Sequence, residues 1–381
     1  MTLTLAIEST CDDTSVALVS NVAGKMTVER MLTYTQGMHS KYGGVVPEYA
    51  SRSHAERLPI LLDLISTWKE CTYTSVKEHV ATGYIYSIPD IQSVTIAAQP
   101  GLPWSVTMWI TAATMFAQLH DIPCREVNHI MWHVFSIVID RDIKIMQLPY
   151  ICLTVSGGHS DIYIVQEWWE NWEYQDMTET SDSKKDVHKQ WSLGRHKRWH
   201  MAIWEFLRVW PYKVTKLVQT MDDAVGDAFD KVAKSLWGPY PWGPWIDTRA
   251  QMSKKDDLEF VRQRLRKIDV SGQFSFSGIK AQVVSLLEYY ARHDIVVDET
   301  KIADIAYVFQ DRITDSLISK LSVYIQEYDA QTIWVVGGVS ANTMLQEKLD
   351  IYRNGDIDIY TPISMRYCGD NAGMIGGVGF I

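Results

Sequence analysis

The sequence predicts an α/β protein, and three observations carry that reading. Residues 4–8, 15–19 and 26–31 are short β-prone runs in series, which suggests an opening antiparallel meander. Beyond them helical and strand periods alternate, the pattern of an α/β layer structure. Near the end a buried-type strand, residues 332–336, runs into Gly337-Gly338, a turn suited to a nucleotide although weak as a signal alone.

Taken in order, the first two strands are joined by the acidic turn Glu8-Ser9-Thr10-Cys11-Asp12-Asp13-Thr14. Short hydroxyl and carboxylate residues there form an ordinary hydroxyl or Asx turn, or else hold a phosphate or a metal-bound water. A loop at 42–47 leads into a helix over about 48–68, whose apolar residues recur three and four apart. Residues 93–97 read as a buried strand. Pro103, near the first helical turn, suits a helix to about 119. A short strand at 123–127 feeds the segment Asn128-His129-Ile130-Met131-Trp132-His133. Its histidines, four apart, share one helix face. They are either two metal ligands or two unrelated residues; spacing alone leaves both open.

Strands at 150–155 and 161–165 flank Ser156-Gly157-Gly158-His159-Ser160. This is a hairpin turn whose N–H groups could also cradle phosphate. Residues 166–213 mix charges and Trp without clear period and read as an insertion, partly helical at 201–209. Helix resumes at 222–236, with Asp222 or Asp223 near its positive end. A Pro-rich loop spans 239–247, helices follow at 279–292 and 301–328, and a glycine-rich helix starts at 370–381.

Composition narrows the function classes. With 381 residues the chain can hold two sizeable cores. Hydrophobic content of 46% and charged content of 22% are ordinary for a soluble protein. No run has the 18 or so apolar residues of a membrane helix. No basic region precedes an apolar core at the N-terminus, so no secretory signal is expected and the cytoplasm is the expected location. Five scattered cysteines without a Cys-x-x-Cys pair argue for reduced thiols. A net charge of −10 excludes nucleic-acid binding through the global field; RNA contact would need a local basic patch or a partner.

These motifs, in this order, closely resemble the universal tRNA N(6)-adenosine threonylcarbamoyltransferase family, called TsaD in bacteria and formerly misnamed a glycoprotease. The motifs are Glu-Ser-Thr-Cys-Asp-Asp-Thr at 8–14, Tyr-Gly-Gly-Val-Val-Pro-Glu at 42–48, and the histidine pair after Asn128. Val-Ser-Gly-Gly-His at 155–159, the acidic run from Asp222 to Lys231 and Phe-Ser-Phe-Ser-Gly at 274–278 complete the set. The resemblance covers nearly the whole chain outside 166–213. It implies an actin-like, two-lobed fold with ribonuclease-H-like halves, shared with sugar kinases and Hsp70 ATPases. The expected lobes are residues 1–148, completed by 362–381, and 149–361.

The resemblance further implies transfer of threonylcarbamoyl from threonylcarbamoyl-AMP to the N(6) amine of the adenosine 3′ of the anticodon. His129, His133 and Asp370 match the family's metal ligands, and such a set suits Fe²⁺ or Zn²⁺. Thr154, Val155, Ser156, Gly157 and Gly158 match its phosphate-side loop. Asp230, Gly243, Asp247 and Asn342 match positions that hold the adenylate and its ribose. Asp13 stands where the family usually has Glu, with a positioning or proton-handling role. The implied partners are tRNA, a related non-catalytic paralogue subunit, a small ATPase subunit and the enzyme that makes the adenylate; no membrane is implied.

Some residues depart from the family pattern. Trp104, Trp109, Trp132, Trp242 and Trp245 stand where the family has glycine, in a chain with 15 Trp and only 22 Gly. A gene that reads UGA as glycine, translated here with UGA as Trp, would explain this; glycine would then rise from 22 to 37 residues. Asp227 replaces the usual Glu, and the chain ends soon after Asn371, as if truncated. A zincin-type metalloprotease would need Glu after its first histidine as general base, and Ile130 stands there. A sugar-kinase-like ATPase would leave the histidines unexplained. A non-catalytic scaffold is the expectation only if the motif-position Trp residues are genuine.

Overall fold

A computed structural model describes residues 1–42, 45–66, 91–167, 212–239, 242–256, 258–268, 270, 272–353, 355 and 357–378. Two five-stranded mixed sheets carry the architecture. The first contains β1 (Thr2–Glu8), β2 (Asp13–Val22), β3 (Lys25–Thr35), β4 (Ile91–Gln99) and β5 (Cys124–Asn128), in spatial order β3-β2-β1-β4-β5. The second contains β6 (Tyr150–Val155), β7 (Ser160–Glu167), β8 (Tyr212–Val218), β9 (Thr332–Val336) and β10 (Asp358–Tyr360), in order β8-β7-β6-β9-β10. In each sheet the first strand pairs antiparallel with the second and parallel with the fourth. The same order and the same pairings thus occur twice. That duplication is the ribonuclease-H-like, actin-type architecture expected from the motifs.

Strand period decides what each sheet face meets. In β1, Leu3, Leu5 and Ile7 join an apolar cluster with α1 (Pro47–Ser66) and α2 (Pro103–Leu119). Ala6 belongs to a different cluster on the opposite face. There it meets α3 (His129–Phe135) and inward residues of the second sheet, including Tyr150, Cys152, Trp334 and Val336. The outward residues of β6 and β9, Ile151, Leu153, Ile333 and Val335, pack against the helices of the second half. Those helices are α4 (Val225–Ser235), α5 (Trp242–Gln251), α6 (Glu259–Arg264), α7 (Ser277–Arg292), α8 (Glu299–Tyr328) and α9 (Thr343–Arg353). The last helix, α10 (Ala372–Val378), returns to the first sheet, where Met374 and Ile375 are fully buried. Helix α3 therefore lies in a layer shared by the two sheets.

Several expectations need correction. Gln166 and Glu167 pair with Lys213 and Tyr212, so these four residues are strand and not insertion. The rest of that insertion, with the helical stretch expected at 201–209, lies outside the described residues. So do Gly43 and Gly44 of the 42–47 loop and the end of the 48–68 helix after Ser66. The Pro-rich loop at 239–247 is helical from Trp242, because Pro244 falls in the first turn, where a missing N–H costs nothing. The helix expected from 222 starts at Val225. Asp222 instead serves another helix. Its carboxylate accepts Phe276 N–H at 2.8 Å and the hydroxyls of Ser275 and Ser277 at 2.5 and 2.6 Å, at the start of α7. The donors hold it below the ordinary carboxylate range against the opposing pull of burial.

Gly337 shows why the turn after β9 needs glycine. Its φ is +97°, and a Cβ there would lie 2.4 Å from the Val155 carbonyl oxygen. Gly337→Ala is expected to destabilise the fold by about 2 kcal/mol or more. Denaturant unfolding of the purified variant would measure this.

Candidate metal centre and cleft

Helix α3 presents the two histidines. Asn128 caps it, its side chain accepting Ile130 N–H at 2.9 Å and Met131 N–H at 3.3 Å. Ile130, Trp132, Val134 and Phe135 anchor the helix in the shared core. The Nε2 atoms of His129 and His133 lie 3.2 Å apart. Asp370, just before α10, brings Oδ1 to 3.5 Å from His129 Nε2 and 3.1 Å from His133 Nε2. One donor atom from each of the three falls within 4.8 Å of the others. Burial raises the Asp370 carboxyl, but the two imidazoles outweigh it and hold the group well below its ordinary range. Burial pulls His129 down, yet Glu8 and then Asp370 hold it well above the ordinary imidazole range. Two nitrogen donors and a carboxylate oxygen converging in this way fit a divalent cation.

The centre opens on a cleft of about 640 Å³. Its walls come from ends of both sheets: Thr10 to Asp13 after β1, Gln36 and His39 after β3, Gly101 after β4, and Ser156 to His159 after β6. Asp227, Asp230 and Lys234 of α4, with Trp242, Gly338 and Cys368, complete them. Most of these positions follow the carboxyl ends of strands, where open α/β sheets bind ligands. The turn at Gly157 and Gly158 is open, since a Cβ at either would meet nothing within 4 Å. Gly226 lets α4 approach that turn, as a Cβ there would lie 2.8 Å from Gly157 N.

Of the residues expected at the site, Asp13, Ser156, Gly157, Gly158, Asp230, His129 and Asp370 line the cleft. His133 sits behind His129, buried, and faces Asp370. Thr154 and Val155 are not on the wall. Both are buried in β6, where Thr154 Oγ1 bonds the Asp161 backbone. Asp247 and Asn342 meet each other at 3.3 Å, and Asp247 also accepts the Thr343 hydroxyl at 2.7 Å. They form a cluster at the start of α9 and, like Gly243, which faces open space, are not among the residues that line the cleft.

Sequence reasoning missed several groups on the cleft wall and behind it. Glu8 is fully buried with its carboxylate on His129 Nδ1 at 3.1 Å. The strand period would have found it, since Glu8 shares the inward parity of Ala6. His54 was read only as part of a helix. It bonds the Cys11 carbonyl at 3.0 Å and the Thr14 hydroxyl at 2.7 Å, tying α1 to the acidic turn. Gln36, His39, His159, Lys234 and Cys368 carry no spacing signal of their own. Asp13 is pushed up to about 8, first by burial and next by the Asp12 charge, and its Oδ1 is buried without a partner. Burial raises Asp230 to about 6.

The sequence matches the family described as TsaD, tRNA N6-adenosine threonylcarbamoyltransferase, over residues 27–189 and 208–377. This chain belongs to that family. Relatives of that name include one from Geotalea uraniireducens (strain Rf4), 31% identical over 374 residues, covering 98% of this chain and 89% of the relative. Another, from Francisella tularensis subsp. novicida (strain U112), is 31% identical over 378 residues, 99% of this chain and 93% of the relative. The solved structure of T. kodakarensis HypF aligns with 99% of this chain and 47% of its own, at 12% identity and a TM-score of 0.50, a likeness of fold alone. The chain is thus a member of a transferase family built on the actin-type fold. Among the described residues no helix is long and apolar enough to cross a membrane.

Metal-free protein is expected to take up one Zn²⁺ per chain, measured as metal retained after gel filtration. His133→Ala and Asp370→Ala are each expected to lose that equivalent while remaining folded by circular dichroism.

Proposed function

We propose that this protein transfers the threonylcarbamoyl group of threonylcarbamoyl-AMP to the N(6) amine of the adenosine 3′ of the anticodon. The substrates are tRNAs that read ANN codons, and AMP is released. One observation carries the reading: the His129–His133–Asp370 cluster and the open Ser156-Gly157-Gly158 turn face a single cleft. A donor with a phosphate at one end and an acyl carbon at the other needs both.

The lobes are residues 1–148, completed by 362–381, and 149–361, with the cleft between them. His129, His133 and Asp370 would hold Fe²⁺ or Zn²⁺, which when bound supplies Lewis-acid polarisation and offsets negative charge on the donor. Gly157 and Gly158 receive the phosphate through backbone N–H groups, where small residues permit close approach, and Ser156, whose own N–H bonds the His159 carbonyl, shapes the turn beside it. Thr154 and Val155 act from behind, by holding that turn on β6. Asp230 accepts ribose hydroxyls, and Gly243 with the Asp247–Asn342 cluster shapes the nucleoside side. In the transfer, the amine nitrogen bonds to the acyl carbon and the bond from that carbon to the phosphate oxygen breaks. AMP leaves with the bonding electrons, and the amine gives up a proton. In this reading Asp13 takes that proton.

The cytoplasm is the location that fits a tRNA substrate. The partner set proposed with this reading is a related non-catalytic paralogue, a small ATPase and the threonylcarbamoyl-AMP synthase.

With threonylcarbamoyl-AMP supplied directly, His133→Ala is expected to slow modification of tRNA by about 100-fold or more, the scale of losing an electrostatic contact to the reacting group. Full activity of that variant would overturn the reading. If Asp13 takes the proton, it must be ionised. The rate should then rise with pH through about 8 and level off above it. Asp13→Asn should remove that rise, measured as initial rates across pH 6–9.

A further inference from the structure

We infer that Glu8 is a positioning residue that fixes which nitrogen His129 offers to the metal; this rests on the metal reading above. Glu8 ends β1 on the inward parity, which carries its carboxylate into the shared core, fully buried. Three donors converge on it. Thr10 N–H and the Thr10 hydroxyl give hydrogen bonds to Oε1 at 2.7 and 2.5 Å, and His129 Nδ1 lies 3.1 Å from Oε2. Glu8 thereby holds the Nδ1 edge of the His129 ring, the edge turned away from His133 and Asp370. Its Nε2 faces His133 and Asp370 and is the nitrogen a metal ion would take, in place of any proton there. A carboxylate behind a ligating imidazole orients the ring and raises its basicity. His133 differs: its Nδ1 is buried without a partner, so the orienting device serves one of the two rings.

The test is metal affinity of the full chain by chelator competition with Zn²⁺, with the absorption spectrum of the Co²⁺ form as a second readout. Glu8→Gln is expected to weaken Zn²⁺ binding about 10- to 100-fold and to shift the cobalt bands, with the melting temperature of metal-free protein little changed. Affinity and spectrum equal to the unsubstituted protein would overturn the inference. So would a lowered metal-free melting temperature with affinity spared, the mark of a merely structural role. Should Glu8→Gln not fold, Thr10→Val, which removes one donor from Glu8, carries the same expectations in smaller size. His133→Ala separates the two claims. If it too keeps its affinity, the metal reading fails; if it alone loses affinity, only the role of Glu8 fails.

A second inference has independent support. We infer that positions 132 and 237 are glycine in the protein as its own cell makes it, through UGA codons read as glycine. Trp237 has φ +58° at the end of α4. Its N–H bonds Lys234 O at 3.1 Å and Gly238 N–H bonds Ala233 O at 2.8 Å. This pair of bonds is the Schellman closure, whose left-handed position glycine normally fills. Trp237 is 70% exposed, so no burial offsets the backbone strain. Trp132 is fully buried, and among the described residues its indole N–H has no partner. Buried indoles usually find an acceptor.

Peptide masses across 128–141 and 235–249, from protein isolated from its native host, test this. Glycine at 132 and 237 is the expected result. Tryptophan at either, or a genomic UGG codon there, would overturn it.

Discussion

Burial of one short helix between two sheets is the constraint on which the rest depends. Helix α3 has seven residues, too few to be stable alone. Its conformation is held by Asn128 at the start and by Ile130, Val134 and Phe135 in a core built from both halves. Because both sheets close on it, His129 and His133 are buried, His129 on the cleft wall and His133 behind it. A buried imidazole pair is costly without partners. Asp370 and Glu8 supply carboxylates from the two ends of the chain, one before α10 and one at the end of β1. The centre therefore assembles only when the C-terminal helix returns to the first sheet.

The duplicated topology explains why the other functional groups gather there. Each half has a β-hairpin turn beside its first strand: the acidic turn before β2, and Ser156 to His159 before β7. Both turns line the same cleft. The first half's turn brings the carboxylates of Asp12 and Asp13; the second half's turn brings two open glycines, with Asp227, Asp230 and Lys234 of α4 also on the wall.

Much of this was legible in the sequence. The ends of β6, α2 and β9 fall where periodicity puts them, because buried strands and a Pro-started helix carry strong local signals. The histidine pair was legible as a pair, and Asp370 only through the family motif, since 237 residues separate it from His133 and no local period links them. Other features depend on packing at a distance. Asp222 looked like the start of its own helix but caps α7, a choice made by Ser275 and Ser277 more than 50 residues away. Glu8 looked like part of a turn, though its parity with Ala6 places it on the inner face. Thr154 and Val155 share a motif with Ser156 to Gly158, but strand burial turns them away from the cleft. A helix from Trp242 was hidden by prolines that read as loop.

If His129, His133 and Asp370 hold one divalent cation beside the cleft, anomalous diffraction from crystals of metal-loaded protein, collected on both sides of the zinc and iron absorption edges, will show it. The expected result is a single strong anomalous peak bounded by His129 Nε2, His133 Nε2 and Asp370 Oδ1. A fully loaded crystal with no peak there, or with its metal held elsewhere, would contradict it.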